Sequence, residues 1–239
     1  MLSHQLVLLH GQPGSAADWR RVRARLPVAL HAVAVDRPGY GSSRRPAAGF
    51  TGNARAVVDE MDARGIGQAV LVGHSYGGGV ALSTAGLFPD RVEALVLLAS
   101  VGPECLNVLD RVLAAPGTGP ACARVAFGPA SWLSRNGQHS LWRTFLTEQR
   151  ALVREIDQLT SVLPGIKVPT LLLADSHDRL VPVETARRLE QAIPEARLEL
   201  IRGPGHDLPR RAPGRVADAI TGFLAALDAS HGRDEQEPG

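Results

Sequence analysis

Val70-Leu71-Val72-Gly73-His74-Ser75-Tyr76-Gly77-Gly78-Gly79-Val80-Ala81-Leu82 is the stretch on which the reading of this chain turns. Val70 to Val72 has the continuous apolar character of a strand buried on both faces. Val80, Ala81 and Leu82, with Ala85, Leu87 and Phe88, supply the apolar side of a helix packed on that strand. Between them the chain reverses in very few residues, which cramps the backbone at Ser75 and lifts its hydroxyl clear of the sheet. Gly73 and Gly77 suit such a turn because a Cβ at either place would strike the neighbouring strand or helix. This is the strand–turn–helix setting that a G-x-S-x-G pentapeptide needs before it carries meaning. With 25 glycines in the chain, the pentapeptide alone also fits an ordinary turn with an incidental serine, so the flanking segments decide.

Working outward, Gln5 to Leu9 reads as a first buried strand that delivers His10-Gly11-Gln12-Pro13-Gly14-Ser15 into a loop. A helix from Ala16 to Leu26 follows, with Trp19, Val22 and Leu26 on one face. His31 to Val35 is a second strand, ending in the tight loop Asp36-Arg37-Pro38-Gly39-Tyr40-Gly41-Ser42-Ser43, and Thr51 to Arg64 a second helix. Ala69 to Val72, Val92 to Ala99, Lys167 to Ala174 and Ala196 to Ile201 are four more strands. Helices follow the last two, over Val183 to Ala192 and Arg215 to Leu227. Apolar strands alternating with helices predict a doubly wound α/β fold with a mostly parallel six-stranded sheet.

The interval 101–166 breaks this alternation. Its apolar residues recur at helical spacing, as in Leu106, Leu109, Val112 and Leu113, or Leu141, Phe145, Leu152, Ile156 and Leu159. It reads as a helical lid inserted into a core of residues 1–100 and 167–229, with a polar, disordered tail over 230–239. Phe127, Trp132, Trp142 and Phe145 suit a roof over an apolar pocket or, more simply, rings that hold the lid together. Arg143 and Glu148 read as solvated helix charges.

A chain of 239 residues that is 44% hydrophobic can bury a large core, most simply as one domain. The net charge of +2 comes from scattered arginines, with Lys167 the single lysine. No basic block points to nucleic acid or an anionic membrane. No apolar stretch is long enough to span a bilayer, and the start of the chain does not read as a signal peptide. Cys105 and Cys122 have no metal-ligand spacing and read as reduced thiols of a cytoplasmic protein. Oligomeric state is not legible.

A serine hydroxyl needs a positioned base to act as a nucleophile, usually a histidine held in one tautomer by a carboxylate. His206, in Gly203-Pro204-Gly205-His206 after the sixth strand, and Asp178, in Asp175-Ser176-His177-Asp178 after the fifth, sit in loops on the same sheet edge as Ser75. Asp175 is a rival for the carboxylate. The backbone N–H groups of Tyr76 and Gln12 are the simplest donors to an oxyanion.

Together these residues resemble the α/β-hydrolase superfamily along nearly the whole chain. His10-Gly11-Gln12-Pro13-Gly14 matches its H-G-x-x-G oxyanion loop, Asp36 to Ser42 its D-x-P-G-x-G-x-S loop, and Gly73 to Gly78 its nucleophile elbow. Asp178-Arg179-Leu180-Val181-Pro182 and Gly205-His206 match the acid and histidine loops. The resemblance implies Ser75 as nucleophile, His206 as base, Asp178 as orienting acid, Gln12 and Tyr76 as oxyanion donors, and no metal or organic cofactor. Two strands that usually precede the oxyanion loop are missing, so the expected strand order is 2-1-3-4-5-6 unless the start has been assigned late. The lid is short, and Asp175 stands where a glycine is common. A serine at the elbow argues against the branches that use aspartate there. The expected activity is hydrolysis of a small ester, thioester or lactone. Carbon–carbon hydrolysis, lyase or perhydrolase chemistry on the same triad, and a non-catalytic receptor for a small ligand, are the alternatives.

Overall fold

Six apolar segments form one sheet in the computed structural model, which describes residues 4–127, 135–136 and 139–234. The strands are β1 (Gln5–Leu9), β2 (His31–Val35), β3 (Ala69–His74), β4 (Val92–Leu98), β5 (Thr170–Ala174) and β6 (Ala196–Leu200). They lie in the order β2-β1-β3-β4-β5-β6, all parallel, as the sequence predicts. Strand β5 begins three residues later than its apolar run, because Pro169 has no N–H to give to the ladder.

Side chains alternate across the sheet. Val7, Leu9, Leu71, Leu95, Leu97 and Leu172 join one buried cluster, while Leu6, Leu8, Val70, Val72, Val96, Leu171 and Leu173 join the other. The first is covered by α2 (Phe50–Ala63), α3 (Tyr76–Leu87) and, through Leu189, by α7 (Val183–Ala192). The second is covered by Trp19, Val22 and the last helix α9 (Pro213–Asp234). The expected helix from Ala16 to Leu26 is a 3-10 turn (Ala16–Trp19) leading into a single α-turn, α1 (Arg20–Arg23), and Pro27 stands just beyond it. The short α8 (Leu208–Arg211) precedes α9, which continues through Ser230 to Asp234, past the point where the sequence suggested a disordered tail.

Between β4 and β5 lie α4 (Val108–Ala114), α5 (Thr118–Phe127) and the 22-residue α6 (Leu141–Val162). Residues 135–136 and 139–140 form a two-residue antiparallel pair before α6. Phe145 and Leu146 pack with Leu113 and Ala123, and Trp142 lies against them, so these rings bind the three helices to one another. Trp132 and the Phe127 side chain fall outside the described residues. Helix α6 is not confined to a lid, however. Its second half sends Leu152, Ile156 and Leu159 into the main cluster beneath the sheet.

Tight approaches at the C-terminal ends of β1 and β3 fix the site. Leu9 is in register with Gly73, and a Cβ on Gly77 would strike the carbonyls of Leu9 and His10. Gly77→Ala is therefore expected to cost about 2–3 kcal/mol in urea unfolding. Exposed Gly222 on α9 has open space around it, and Gly222→Ala should stabilise by roughly 0.5–1 kcal/mol in the same assay.

Candidate active site

Ser75 stands between β3 and α3 with φ 54° and ψ −121°, a conformation that L residues rarely adopt. The ladder imposes it. Ser75 N–H donates to Leu98 O at 2.9 Å, and its carbonyl accepts from Gly78 N–H (2.9 Å) and Val101 N–H (3.2 Å). A Cβ on Gly73 would strike Gly77 and Gly78, so the reversal closes only with glycine there. Ser75 is 7% exposed.

The structure brings the three expected side chains together. His206 Nε2 lies 3.0 Å from Ser75 Oγ, and His206 Nδ1 lies 2.7 Å from Asp178 Oδ2. The other Asp178 oxygen accepts from the N–H groups of Leu180 (2.8 Å) and Val181 (3.0 Å), which leaves Oδ2 aimed at the imidazole. With Asp178 ionised, Nδ1 carries the ring proton and Nε2 is free to accept from the serine.

Asp175, the rival carboxylate, has a different task. It accepts from the N–H groups of Gly203 (2.8 Å) and Gly205 (2.7 Å) with one oxygen and from His177 N–H (2.9 Å) with the other. Burial alone would raise its pKa, but these donors, His177 foremost, hold it below the usual carboxylate range. Asp175 thus clamps the loop that carries His206.

His74 clamps the same loop from the elbow, its Nε2–H donating to His206 O at 2.8 Å. Burial, with the nearby His206 ring second, lowers its pKa to about 3, so it stays neutral. His10 is also held neutral, with its pKa well below the ordinary value, by burial first and the Arg37 charge next. Its Nε2 accepts from Arg37 N–H (3.1 Å) while Nδ1–H donates to Gly11 O (2.8 Å).

The loop after β1 lies against the elbow, since a Cβ on Gly11 would meet Ser75 Cβ at 3.1 Å. Among the described residues, the backbone N–H groups of Gln12 and Tyr76 have no protein acceptor. Tyr76 opens α3, where the helix leaves its first N–H groups unpaired and partly positive. The D-x-P-G-x-G-x-S loop is also explained: Asp36 accepts from Ala16 N–H (2.8 Å), Ser42 N–H (2.8 Å) and Ser42 Oγ–H (2.9 Å). Gly41, at φ +52°, leaves room for the Asp36 carboxylate.

Glu148 corrects the sequence reading. Expected as a solvated helix charge, it is fully buried and forms an ion pair with fully buried Arg37. The missed signal was present in the spacing, because Glu148 falls on the stripe Phe145, Leu152, Ile156 and Leu159 that α6 buries. Arg143 is exposed, as expected. Cys105 and Cys122 are free thiols, and among the described residues no cluster of three His, Cys, Asp or Glu side chains could hold a metal. No described helix is long and apolar enough to cross a membrane.

A parallel sheet that carries a serine, a histidine and an aspartate in contact at the C-terminal ends of its strands defines a hydrolase of the α/β type. The chain belongs to the alpha/beta hydrolase family, whose model matches residues 6–219. It is 31% identical to a 2-hydroxymuconate semialdehyde hydrolase of Pseudomonas sp. (strain CF600), over 94% of this chain and 88% of that protein. It is 29% identical to a 2-hydroxy-6-oxo-2,4-heptadienoate hydrolase of Pseudomonas putida, covering 93% and 90% of the two chains. Among solved structures, a thermophilic esterase from Thermogutta terrifontis superposes with TM-score 0.75 at 24% identity, covering 94% of this chain and 90% of the other, which shows a shared fold.

Two tests follow from this geometry. His74, neutral when folded and free to protonate near pH 6.5 when unfolded, contributes stability that is complete above that pH and is lost as pH falls toward 3. The melting temperature should therefore drop from pH 7 to 5, and less steeply in His74→Gln, which keeps a donor for His206 O. Asp175→Asn should lower stability by about 1–3 kcal/mol in chemical unfolding, because an amide cannot satisfy all three N–H groups.

Proposed function

We propose that the protein is a serine hydrolase of small carboxylic esters, thioesters or lactones. The observation that carries this is the chain of contacts from Ser75 Oγ through His206 to Asp178, set on a strained elbow. Ser75 Oγ attacks the substrate carbonyl carbon as His206 Nε2 takes its proton, and the carbonyl oxygen gains the negative charge. The unpaired N–H groups of Gln12 and Tyr76 stabilise that oxyanion, each donor being worth roughly 3 kcal/mol. His206 then gives the proton to the departing alkoxide or thiolate, leaving an acyl group on Ser75. Water attacks the acyl carbon and passes a proton to His206, which returns it to Ser75 as the acid leaves. Asp178 stays ionised throughout and holds the imidazole tautomer. The free thiols support a cytoplasmic setting.

Hydrolysis of a carbon–carbon bond is the second reading, favoured by the names of the Pseudomonas relatives. The same serine would attack a ketone or aldehyde carbonyl, and the carbon that leaves in place of oxygen would keep the bonding pair and take the proton from His206. Comparing turnover of p-nitrophenyl butyrate with that of a 2-hydroxy-6-oxodienoate separates the two.

A fluorophosphonate should give one stoichiometric adduct, mapped to Ser75 by peptide mass. Ser75→Ala should abolish it and reduce turnover roughly a millionfold, as loss of the serine does in a serine protease. Asp178→Asn should cost about ten-thousandfold. A folded protein that takes no adduct, yet is stabilised by a small ligand, would be a receptor.

A further inference from the structure

Arg37 is a fully buried arginine whose donors converge on the loop after β1. Its Nε donates to His10 O at 2.8 Å and its Nη2 to Gly11 O at 2.9 Å. Its Nη1 donates to Asn53 Oδ1 (3.2 Å) and to Glu148 Oε1, and Nη2 also reaches Glu148 Oε2 at 3.2 Å. Glu148 in turn accepts from Tyr40 Oη–H at 2.8 Å. The carboxylate therefore holds the guanidinium in plane while the guanidinium grips two consecutive carbonyls.

The second of those carbonyls matters most. Gly11 C=O and Gln12 N–H belong to one planar peptide unit, and in a trans peptide they point in opposite directions. Whatever fixes the direction of Gly11 O fixes the aim of the Gln12 N–H. Gly11 O is held by two donors, Arg37 Nη2 and His10 Nδ1. His10 is itself fixed by the Arg37 backbone N–H. We propose that Arg37 and Glu148 are positioning residues for the oxyanion hole, the buried pair locking the Gly11–Gln12 peptide plane so that the Gln12 N–H faces the carbonyl that Ser75 attacks. This rests on the serine hydrolase reading. It also makes the hole depend on α6, since Glu148 comes from that helix, as does Gln149, whose Oε1 accepts from Gln12 Nε2 at 2.7 Å.

The test uses the whole 239-residue chain and a ketone pair of equal alkyl chain, one trifluoromethyl and one methyl. The trifluoromethyl ketone adds Ser75 Oγ to its carbonyl carbon, the serine proton passes to His206, and the resulting oxyanion occupies the hole. The methyl ketone binds largely without addition. Variants are Glu148→Gln, Arg37→Lys, which loses the planar fork that holds both carbonyls and the carboxylate at fixed angles, and the milder Tyr40→Phe. Fluorophosphonate titration sets the concentration of competent sites. In Glu148→Gln and Arg37→Lys, kcat/KM for p-nitrophenyl butyrate should fall roughly 10- to 100-fold with KM little changed. The trifluoromethyl ketone should weaken by the same factor while the methyl ketone stays within about threefold. Tyr40→Phe should show the same pattern at about three- to fivefold, and it decides the matter if the charge variants do not fold. Equal weakening of both ketones would mean a merely structural role and overturn the proposal, as would unchanged kinetics in folded variants. A wild-type protein that forms no adduct with the trifluoromethyl ketone would overturn the serine hydrolase reading itself, and the positioning role with it.

Discussion

The closeness of three backbone segments at one sheet edge is the constraint on which the rest depends. The end of β1, the end of β3 and the first turn of α3 meet where only hydrogen atoms fit between Gly73, Gly77 and the carbonyls of Leu9 and His10. Forcing a serine into φ 54° costs of order 1–3 kcal/mol, and such strain persists only where the surroundings over-determine it. Here the bonds from Ser75 N–H to Leu98 O and to the Ser75 carbonyl from Gly78 and Val101 do so. Because the strands are parallel and in register, the loops after β1, β5 and β6 open on the same edge, at the switch point where β2 and β3 flank β1.

Around this elbow the protein buries polar side chains against defined partners, while among the described residues Gln12 Oε1 and Tyr76 Oη are buried without one. A buried ion pair such as Arg37–Glu148 is weak evidence for stability, because desolvating two charges offsets most of their attraction. What it provides is direction: a planar guanidinium with donors at fixed angles holds carbonyls that a softer contact would let rotate. The histidines divide in the same way. His10 and His74 are kept neutral and serve as backbone clamps, which leaves His206 as the ring placed between a hydroxyl and a carboxylate.

Helix α6 joins the two halves of this account. One end packs with α4 and α5, the other enters the main core, and between them Thr144, Glu148, Gln149 and Glu155 reach Gly39 O, Arg37, Gln12 and the first N–H of α2. An insertion anchored in this manner is a strut for the loops below it as much as a cover.

The sequence by itself determined the six strands and the loops that carry Ser75, Asp178 and His206, and the strand order came from the resemblance to the α/β-hydrolase superfamily. Apolar period, glycine placement and loop position are local properties, and a parallel sheet converts them into a common edge. The choice between Asp175 and Asp178 was not legible, because both follow β5 and both are natural turn acids. Only the folded loop shows that one accepts N–H groups from Gly203 and Gly205 while the other meets the imidazole. Glu148 was misjudged for a related reason. Its spacing placed it on a buried stripe, but a charge on such a stripe is tolerable only beside a partner 111 residues away, and that partner is brought there by tertiary packing alone.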